Sequence, residues 1–183
     1  MTDRRFFRAR PVMALALLAG AAPLAHAALP QGTSAPSFNA PASLGGKEFQ
    51  FSLADALKQG PVVLYFYPAA FTRGCTIEAH DFAEAMPQYQ ALGATVVGVS
   101  MDGIAKLDKF SVSDCRSKFA VAADPDGKIT RSYDAKMPIM NMATRVSYVI
   151  APSGKVAFSY AAMSPDEHVA KTLAAVKALK SAP

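Results

Sequence analysis

Two cysteines, Cys75 and Cys115, are the only thiols in the 183 residues, and Cys75 has the more pointed surroundings. It closes the run Pro68-Ala69-Ala70-Phe71-Thr72-Arg73-Gly74-Cys75, and Glu78 follows three residues later. The run joins a short apolar stretch to a segment with helical spacing, so the thiol falls at the first turn of a helix. There the positive end of the macrodipole and the unpaired backbone N–H groups favour a thiolate, the form of cysteine that acts as a nucleophile. Thr72 is placed to cap the same helix, and Glu78 reads as an ordinary acidic partner of its first turn. The alternative, a structural thiol packed as a small hydrophobe, fits poorly with the polar turn at residues 72–74.

The second cysteine leaves more open. Cys115 falls late in another predicted helix, where it is an incidental thiol, half of a structural bridge, or the second member of a reactive pair. A disulfide oxidoreductase acting on protein thiols is not indicated. It would carry C-x-x-C, whereas the residues three before and three after Cys75 are Thr72 and Glu78. A non-enzymatic binding domain with an incidental disulfide stays open on residue chemistry alone. His80 and His168 are too isolated for metal-ligand spacing and read as surface or helix-face residues. Arg145 begins an alternating stretch, where an arginine is by itself an edge residue in solvent. Met137, Met140 and Met142, close by in sequence, read as gap-filling core residues or as the mouth of a pocket.

The elements that must position these residues follow from periodicity. Pro61 to Tyr67 is a continuous β-branched and aromatic run, the pattern of a strand buried on both faces. Before it, Gly45-Gly46 with Phe49, Phe51 and Leu53 alternating behind predicts an opening β-hairpin. After it come a helix from Cys75 to Leu92, a strand at Thr95 to Ser100, a helix from about Gly103 to Phe119 and a short strand at Ala120 to Ala123. Asp124-Pro125-Asp126-Gly127 is a turn. Arg145 to Ile150 and Lys155 to Tyr160 predict an antiparallel hairpin about Pro152-Ser153-Gly154. Ser164, Pro165 and Glu167 match N-cap, N1 and N3 of a capping box opening a last helix with Val169, Leu173 and Val176 on one face. This order predicts an α/β fold, a mixed central sheet covered by helices, with a thioredoxin-like fold fitting best.

The chain is long enough for one sizeable core, about half its residues being apolar. Arg4, Arg5, Arg8 and Arg10, the apolar run Val12 to Ala22 and the triplet Ala25-His26-Ala27 form the three-part pattern of a secretory signal peptide over residues 1–27. That run is about half of the ~20 residues a membrane span requires. Arg4-Arg5 loosely matches a twin-arginine signal, and ordinary secretion remains equally open. Export places the protein in an oxidising compartment, the periplasm if the source is bacterial. Cleavage after Ala27 removes four arginines and Asp3. The formal charge of +5 then falls to 15 basic against 13 acidic residues, and no basic block remains for nucleic acid or lipid headgroups. Residues 28–37, rich in Pro, Gly, Ser and Thr, read as a flexible lead-in to a single domain over 38–183. No internal repeat and no Gly-rich phosphate loop is present.

The spacing P-x-x-x-T-x-x-C, on a strand-to-helix turn with glutamate three residues later, resembles the peroxiredoxin active-site loop. The wording F-Y-P followed by T-x-G-C-T-I-E-A is similar to the bacterioferritin comigratory protein, or peroxiredoxin Q, group. The resemblance runs from about Pro36 to the last helix. It implies a thiol-dependent peroxidase in which Cys75 attacks a hydroperoxide, Thr72 orients peroxide and thiolate, Pro68 shields the sulfur, and Arg145 lies beside it and stabilises negative charge. Cys75 would pass through a sulfenic acid. Many members of that group carry the resolving cysteine five residues on, but His80 stands there; others carry it in the next helix, approximately where Cys115 lies. No metal, flavin or haem is implied. The expected partners are a hydroperoxide substrate and an external thiol reductant, either a thioredoxin-like or glutaredoxin-like protein or a small thiol. The expected assembly state is a monomer or weak dimer.

Overall fold

The computed structural model describes residues 28–181, so the signal-peptide reading of residues 1–27 lies outside the described residues. The hairpin β1 (Asn39–Leu44) and β2 (Lys47–Ser52) leads into α1 (Leu53–Gln59). The chain then alternates through β3 (Val62–Phe66), α2 (Arg73–Ala91), β4 (Thr95–Ser100), α3 (Ile104–Ser113), β5 (Ala120–Ala123) and α4 (Lys128–Ser132). A second hairpin, β6 (Val146–Ile150) and β7 (Val156–Ala161), precedes α5 (His168–Ser181). The strands form one mixed sheet in the order β2-β1-β5-β4-β3-β6-β7. Strands β3, β4 and β5 run parallel, and β6 and β1 pair antiparallel with β3 and β5. The layered α/β architecture and its N-terminal hairpin agree with the thioredoxin-like expectation.

Strand β3 explains why the sheet is covered on both sides. Its five residues are all buried, and because successive side chains point to opposite faces, Val63 and Tyr65 join the core under α2, α3 and α5. Val62, Leu64 and Phe66 join the core with Leu53, Tyr133 and Tyr148 on the other face. Tyr65 stacks on Phe82 of α2 with ring centroids 4.4 Å apart. The strand therefore seats the helix that carries Cys75. Gly98, on neighbouring β4, permits this packing: a Cβ there would lie 2.7 Å from Tyr65 Cζ.

Several boundaries differ from the sequence reading. Leu53 opens α1 and does not extend the hairpin, because the Ser52 hydroxyl accepts from Asp55 N–H at 3.3 Å and caps a helix. The short α4 follows the Asp124 to Gly127 turn, where the Asp124 carboxylate accepts from Ile129 and Thr130 N–H. Helix α3 stops at Ser113, short of Phe119, since Arg116 and Ser117 turn left-handed at φ 51° and 54°. Helix α5 begins at His168, and the capping box does not form. Ser164 Oγ donates to Asp166, while Glu167 is taken by Tyr160 and Lys171. The stretch read as a flexible lead-in is strapped to the second hairpin. Gly32 N–H donates to Val156 O at 2.8 Å, Val156 N–H to Thr33 O and Ala35 N–H to Gly154 O at 2.9 Å. Those bonds use only backbone groups, so a composition poor in apolar side chains does not preclude them.

Gly98→Ala forces Tyr65 off its place against α2, and overpacking of this kind costs about 1–3 kcal/mol. Urea denaturation should show a lower midpoint with an unchanged slope; an unchanged midpoint would mean that Tyr65 yields without cost.

Candidate active site

Helix α2 brings Cys75 into place as its third residue, and the first intrahelical bond of this turn runs from Thr76 N–H to Thr72 O at 2.9 Å. The preceding N–H groups have no intrahelical acceptor and face the start of the helix. Thr72 is the N-cap residue by backbone geometry but makes no side-chain cap. Its hydroxyl donates to Ala69 O at 2.9 Å, which leaves the oxygen lone pairs exposed beside the thiol's turn. Pro68, half-buried, starts the same loop. The loop is anchored from just past β4, where the Asp102 carboxylate accepts from Ala70 N–H at 2.7 Å and from the Ser100 hydroxyl at 3.0 Å. Phe71 adopts φ 68°, unusual for an aromatic residue, and rests edge-on against Phe110 of α3.

Across this turn lies Arg145, just before β6 and almost fully buried. Its Nη2 donates to Cys75 Sγ at 3.4 Å, its Nη1 to Glu78 Oε2, and its Nε to Met163 O at 3.0 Å. Gly74 leaves room for the guanidinium, since a Cβ at that position would lie 3.1 Å from Nη2. Thus Arg145 is not the edge residue that its strand position alone suggests. One buried cation serves two acids, the Cys75 thiol and the Glu78 carboxyl. Burial pushes the Glu78 carboxyl up to about 8 against the opposing pull of Arg145.

His168 is also not on the surface. It is fully buried at the start of α5, with Nε2 3.0 Å from Ala162 O and Nδ1 2.8 Å from Ser147 Oγ. Since a carbonyl only accepts, Nε2 carries a proton, and in the neutral ring Nδ1 accepts from Ser147. Nδ1 lies 3.7 Å from Glu78 Oε1, a buried oxygen without a hydrogen-bond partner among the described residues. Burial pushes His168 below its ordinary value. His80 lies half-buried along α2.

Cys115 belongs to the same core layer as Cys75, but two residues past the end of α3 and not on the helix. Both cysteines are buried free thiols. Burial, with Asp114 adding its charge, pushes the Cys115 thiol well above the ordinary thiol range. The flanking residues are tied, Thr76 Oγ1 donating to Asp114 Oδ1 at 2.6 Å. A cavity of about 350 Å³ opens beside Arg145, lined also by Met137, Pro138, Ala161 and Met163. Met137 is thus at a pocket wall, and Met140 is exposed; neither fills the core.

The structure therefore sets Arg145 against the Cys75 sulfur, places Thr72 and Pro68 in the loop that leads to it, and holds Cys115 apart from their hydrogen bonds. Sequence reasoning missed Glu78, Asp102, Ser147 and His168 as parts of this site. Two had a signal. Glu78 is three residues from Cys75, hence on the same helix face, and Ser147 is two from Arg145, hence on the same strand face.

Comparison with known proteins agrees with this geometry. The model of the AhpC/TSA family matches residues 31–159. A Mycobacterium tuberculosis relative bearing the peroxiredoxin name is 32% identical over 133 residues, covering 70% of this chain and 86% of the relative. The crystal structure of peroxidoxin BcpB from Mycobacterium tuberculosis superposes with a TM-score of 0.76 at 30% identity, covering 82% of this chain and 98% of that one. Xanthomonas campestris peroxiredoxin Q gives 0.68 at 30% identity, with 75% and 89% covered. A buried thiol at a helix N-terminus under an arginine, in a chain so matched throughout its core, places the protein in the AhpC/TSA family of peroxiredoxins, the thiol-dependent peroxidases.

Proposed function

We propose that Cys75 is the peroxide-reducing thiol of this peroxidase, and the contact that carries the assignment is Arg145 Nη2 at 3.4 Å from Cys75 Sγ. The thiolate attacks one peroxide oxygen, an S–O bond forms and the O–O bond breaks. Cys75 becomes a sulfenic acid, and the departing alkoxide or hydroxide takes a proton to give alcohol or water. Negative charge moves from sulfur to the leaving oxygen during this step. Arg145 is fixed where it faces both, and the N–H groups at the start of α2 add to the same field. Thr72, whose hydroxyl proton is committed to Ala69, offers lone pairs to the peroxide O–H. Pro68 shields the sulfur from bulk water.

Cys115 resolves the sulfenic acid in this reading, its thiol condensing with Cys75 to a disulfide and releasing water. Support comes from its place in the same core layer and from the left-handed pair Arg116 and Ser117 just behind it, a turn poised to rearrange. An external thiol reductant, thioredoxin-like, glutaredoxin-like or a small thiol, then restores both thiols. Peroxiredoxins use peroxides and thioredoxin-like reductants. For this chain the substrate is hydrogen peroxide or an organic hydroperoxide, and the working unit a monomer or weak dimer. The signal-peptide pattern of residues 1–27 supports export, to the periplasm in a bacterium.

Cys75→Ser should abolish peroxide consumption with any thiol reductant, because a serine hydroxyl neither ionises near neutral pH nor offers a sulfenic state; substantial turnover by that variant would refute the assignment. Removing the fixed charge with Arg145→Met should lower the second-order rate with peroxide by on the order of 100-fold. Equal rates would remove Arg145 from the site. Cys115→Ser should consume about one equivalent of peroxide per chain and then accumulate sulfenic or over-oxidised Cys75, as read by mass spectrometry. Normal turnover with a dithiol protein reductant would instead show a one-cysteine cycle.

A further inference from the structure

The buried charges around Arg145 do not balance when Cys75 is ionised. Arg145 contributes one positive charge, while a Cys75 thiolate and a Glu78 carboxylate contribute two negative ones, all in a region closed to water. An uncompensated buried charge is costly, so a further proton is favoured nearby. The geometry offers a place for it. Glu78 Oε1 is buried, has no hydrogen-bond partner among the described residues, and faces His168 Nδ1 at 3.7 Å. The imidazole is held on its far side by Ala162 O, and a proton on the carboxyl can move to Nδ1 when Ser147 turns its hydroxyl donor away and the 3.7 Å gap closes.

We propose that Glu78 and His168 together hold one proton while Cys75 is a thiolate and give it up when the thiolate is oxidised, keeping the Arg145 site neutral through the reaction. His168 acts as a positioning residue, not as a catalytic one, because it touches neither the sulfur nor the peroxide. With the pair protonated, Arg145 is free of a competing full anion and acts on Cys75 alone. When the thiolate becomes a neutral sulfenic acid, the carboxyl falls back toward about 8, and near and above that pH Glu78 ionises against Arg145 and the proton leaves the pair. The alkoxide or hydroxide released from the O–O bond takes up one proton in the same step. Proton gain and loss therefore cancel, without a direct path between the two.

Other charged and titratable groups face the pair from each neighbouring element. On α2 these are Cys75 and Asp81, the latter pushing Glu78 toward its neutral form. Arg145 faces both members from the start of β6. Tyr65 on β3 is a buried neutral phenol, and Tyr160 on β7 places its ring edge-on to His168 at 4.8 Å. Among these, burial dominates for both members: it raises the carboxyl to about 8 and lowers the imidazole. Beside Arg145 and a neutral Cys75 the carboxyl ionises only near and above that value, and a second anion at Cys75 pushes it further up.

The inference rests on Cys75 being the thiol that peroxide oxidises, and proton counting separates the two claims. Reduced full-length chain is mixed with one equivalent of hydrogen peroxide in weak buffer with a pH indicator, at about pH 8 and just above, where ultraviolet absorbance shows Cys75 as thiolate. Sulfenic acid is then trapped and located by mass spectrometry in the same samples. The native chain should take up well under one proton per Cys75 oxidised. Glu78→Gln, neutral throughout and nearly isosteric, should take up about one. His168→Gln should move the pH at which uptake begins to lower values, because the proton loses one of its two sites and the amide can donate to Glu78. Uptake of about one proton by the native chain, or equal uptake with Glu78→Gln, would overturn the inference. An unchanged onset in His168→Gln would reduce the imidazole to a packing role. Absence of sulfenic acid at Cys75 would instead overturn the reading on which the inference stands. Should His168→Gln fail to fold, the native chain and Glu78→Gln still decide.

Discussion

The molecule is organised around a guanidinium that has been taken out of water. Arg145 donates to Cys75, to Glu78 and to the Met163 carbonyl, so its hydrogen-bonding fork is used on three sides. A buried arginine without such partners would be strongly destabilising. The fold has therefore to deliver an acid, a thiol and a carbonyl to one small volume, from α2 and from the segment after β7. Sheet order makes this possible. Strand β6 pairs with β3 in register, Phe66 opposite Val146, so the residue preceding β6 meets the loop that leaves β3. Helix α2 begins at the end of that loop, and Gly74 allows its first turn to approach the arginine closely.

Rigidity around the thiol comes from groups that take no part in chemistry. The loop between β3 and α2 is tethered to β4 through Asp102, whose other oxygen accepts from Lys106 at 2.7 Å. Tyr65 and Phe82 hold α2 against the sheet, and Tyr67 and Phe110 stack beneath the loop. A nucleophile must be kept within a narrow geometry to gain from a fixed charge, because misplacement by an ångström sacrifices much of the advantage. The aromatic packing under the loop is thus part of how Arg145 acts on Cys75, although none of these rings reaches the sulfur.

Much of this was legible in the sequence where the code is local. The buried runs of β3 and β4, the hairpin of β6 and β7, and the thiol on a strand-to-helix turn follow from periodicity and turn residues. So does the layered class of the fold. What escaped depends on contacts across the chain. Nothing local distinguishes His168 from a helix-face histidine, since its burial comes from Ser147, Ala162 and Tyr160. The false capping box at Ser164 shows the same limit. The motif was present, but Tyr160 and Lys171 claim Glu167 before it can reach back. The end of α3 was misplaced because Phe119 continues the apolar pattern, while two left-handed residues, neither of them glycine, break the helix before it.

Those two residues bear on how the cysteines would meet. Cys75 and Cys115 are both sealed in one core, and each sits beside a backbone conformation that L-residues avoid: Phe71 before the first, Arg116 and Ser117 after the second. The same segments are joined to each other by Thr76 with Asp114 and by Phe71 on Phe110. Asp114 closes α3, where a carboxylate opposes the dipole of its own helix, yet it lies against the first turn of α2, where the dipole favours it. Its hydrogen bond therefore stabilises the closed form at the expense of α3. A disulfide between the two thiols would join segments that these ties already hold together. The left-handed dihedrals of Phe71, Arg116 and Ser117 are a local cost that the packing of these two segments holds in place.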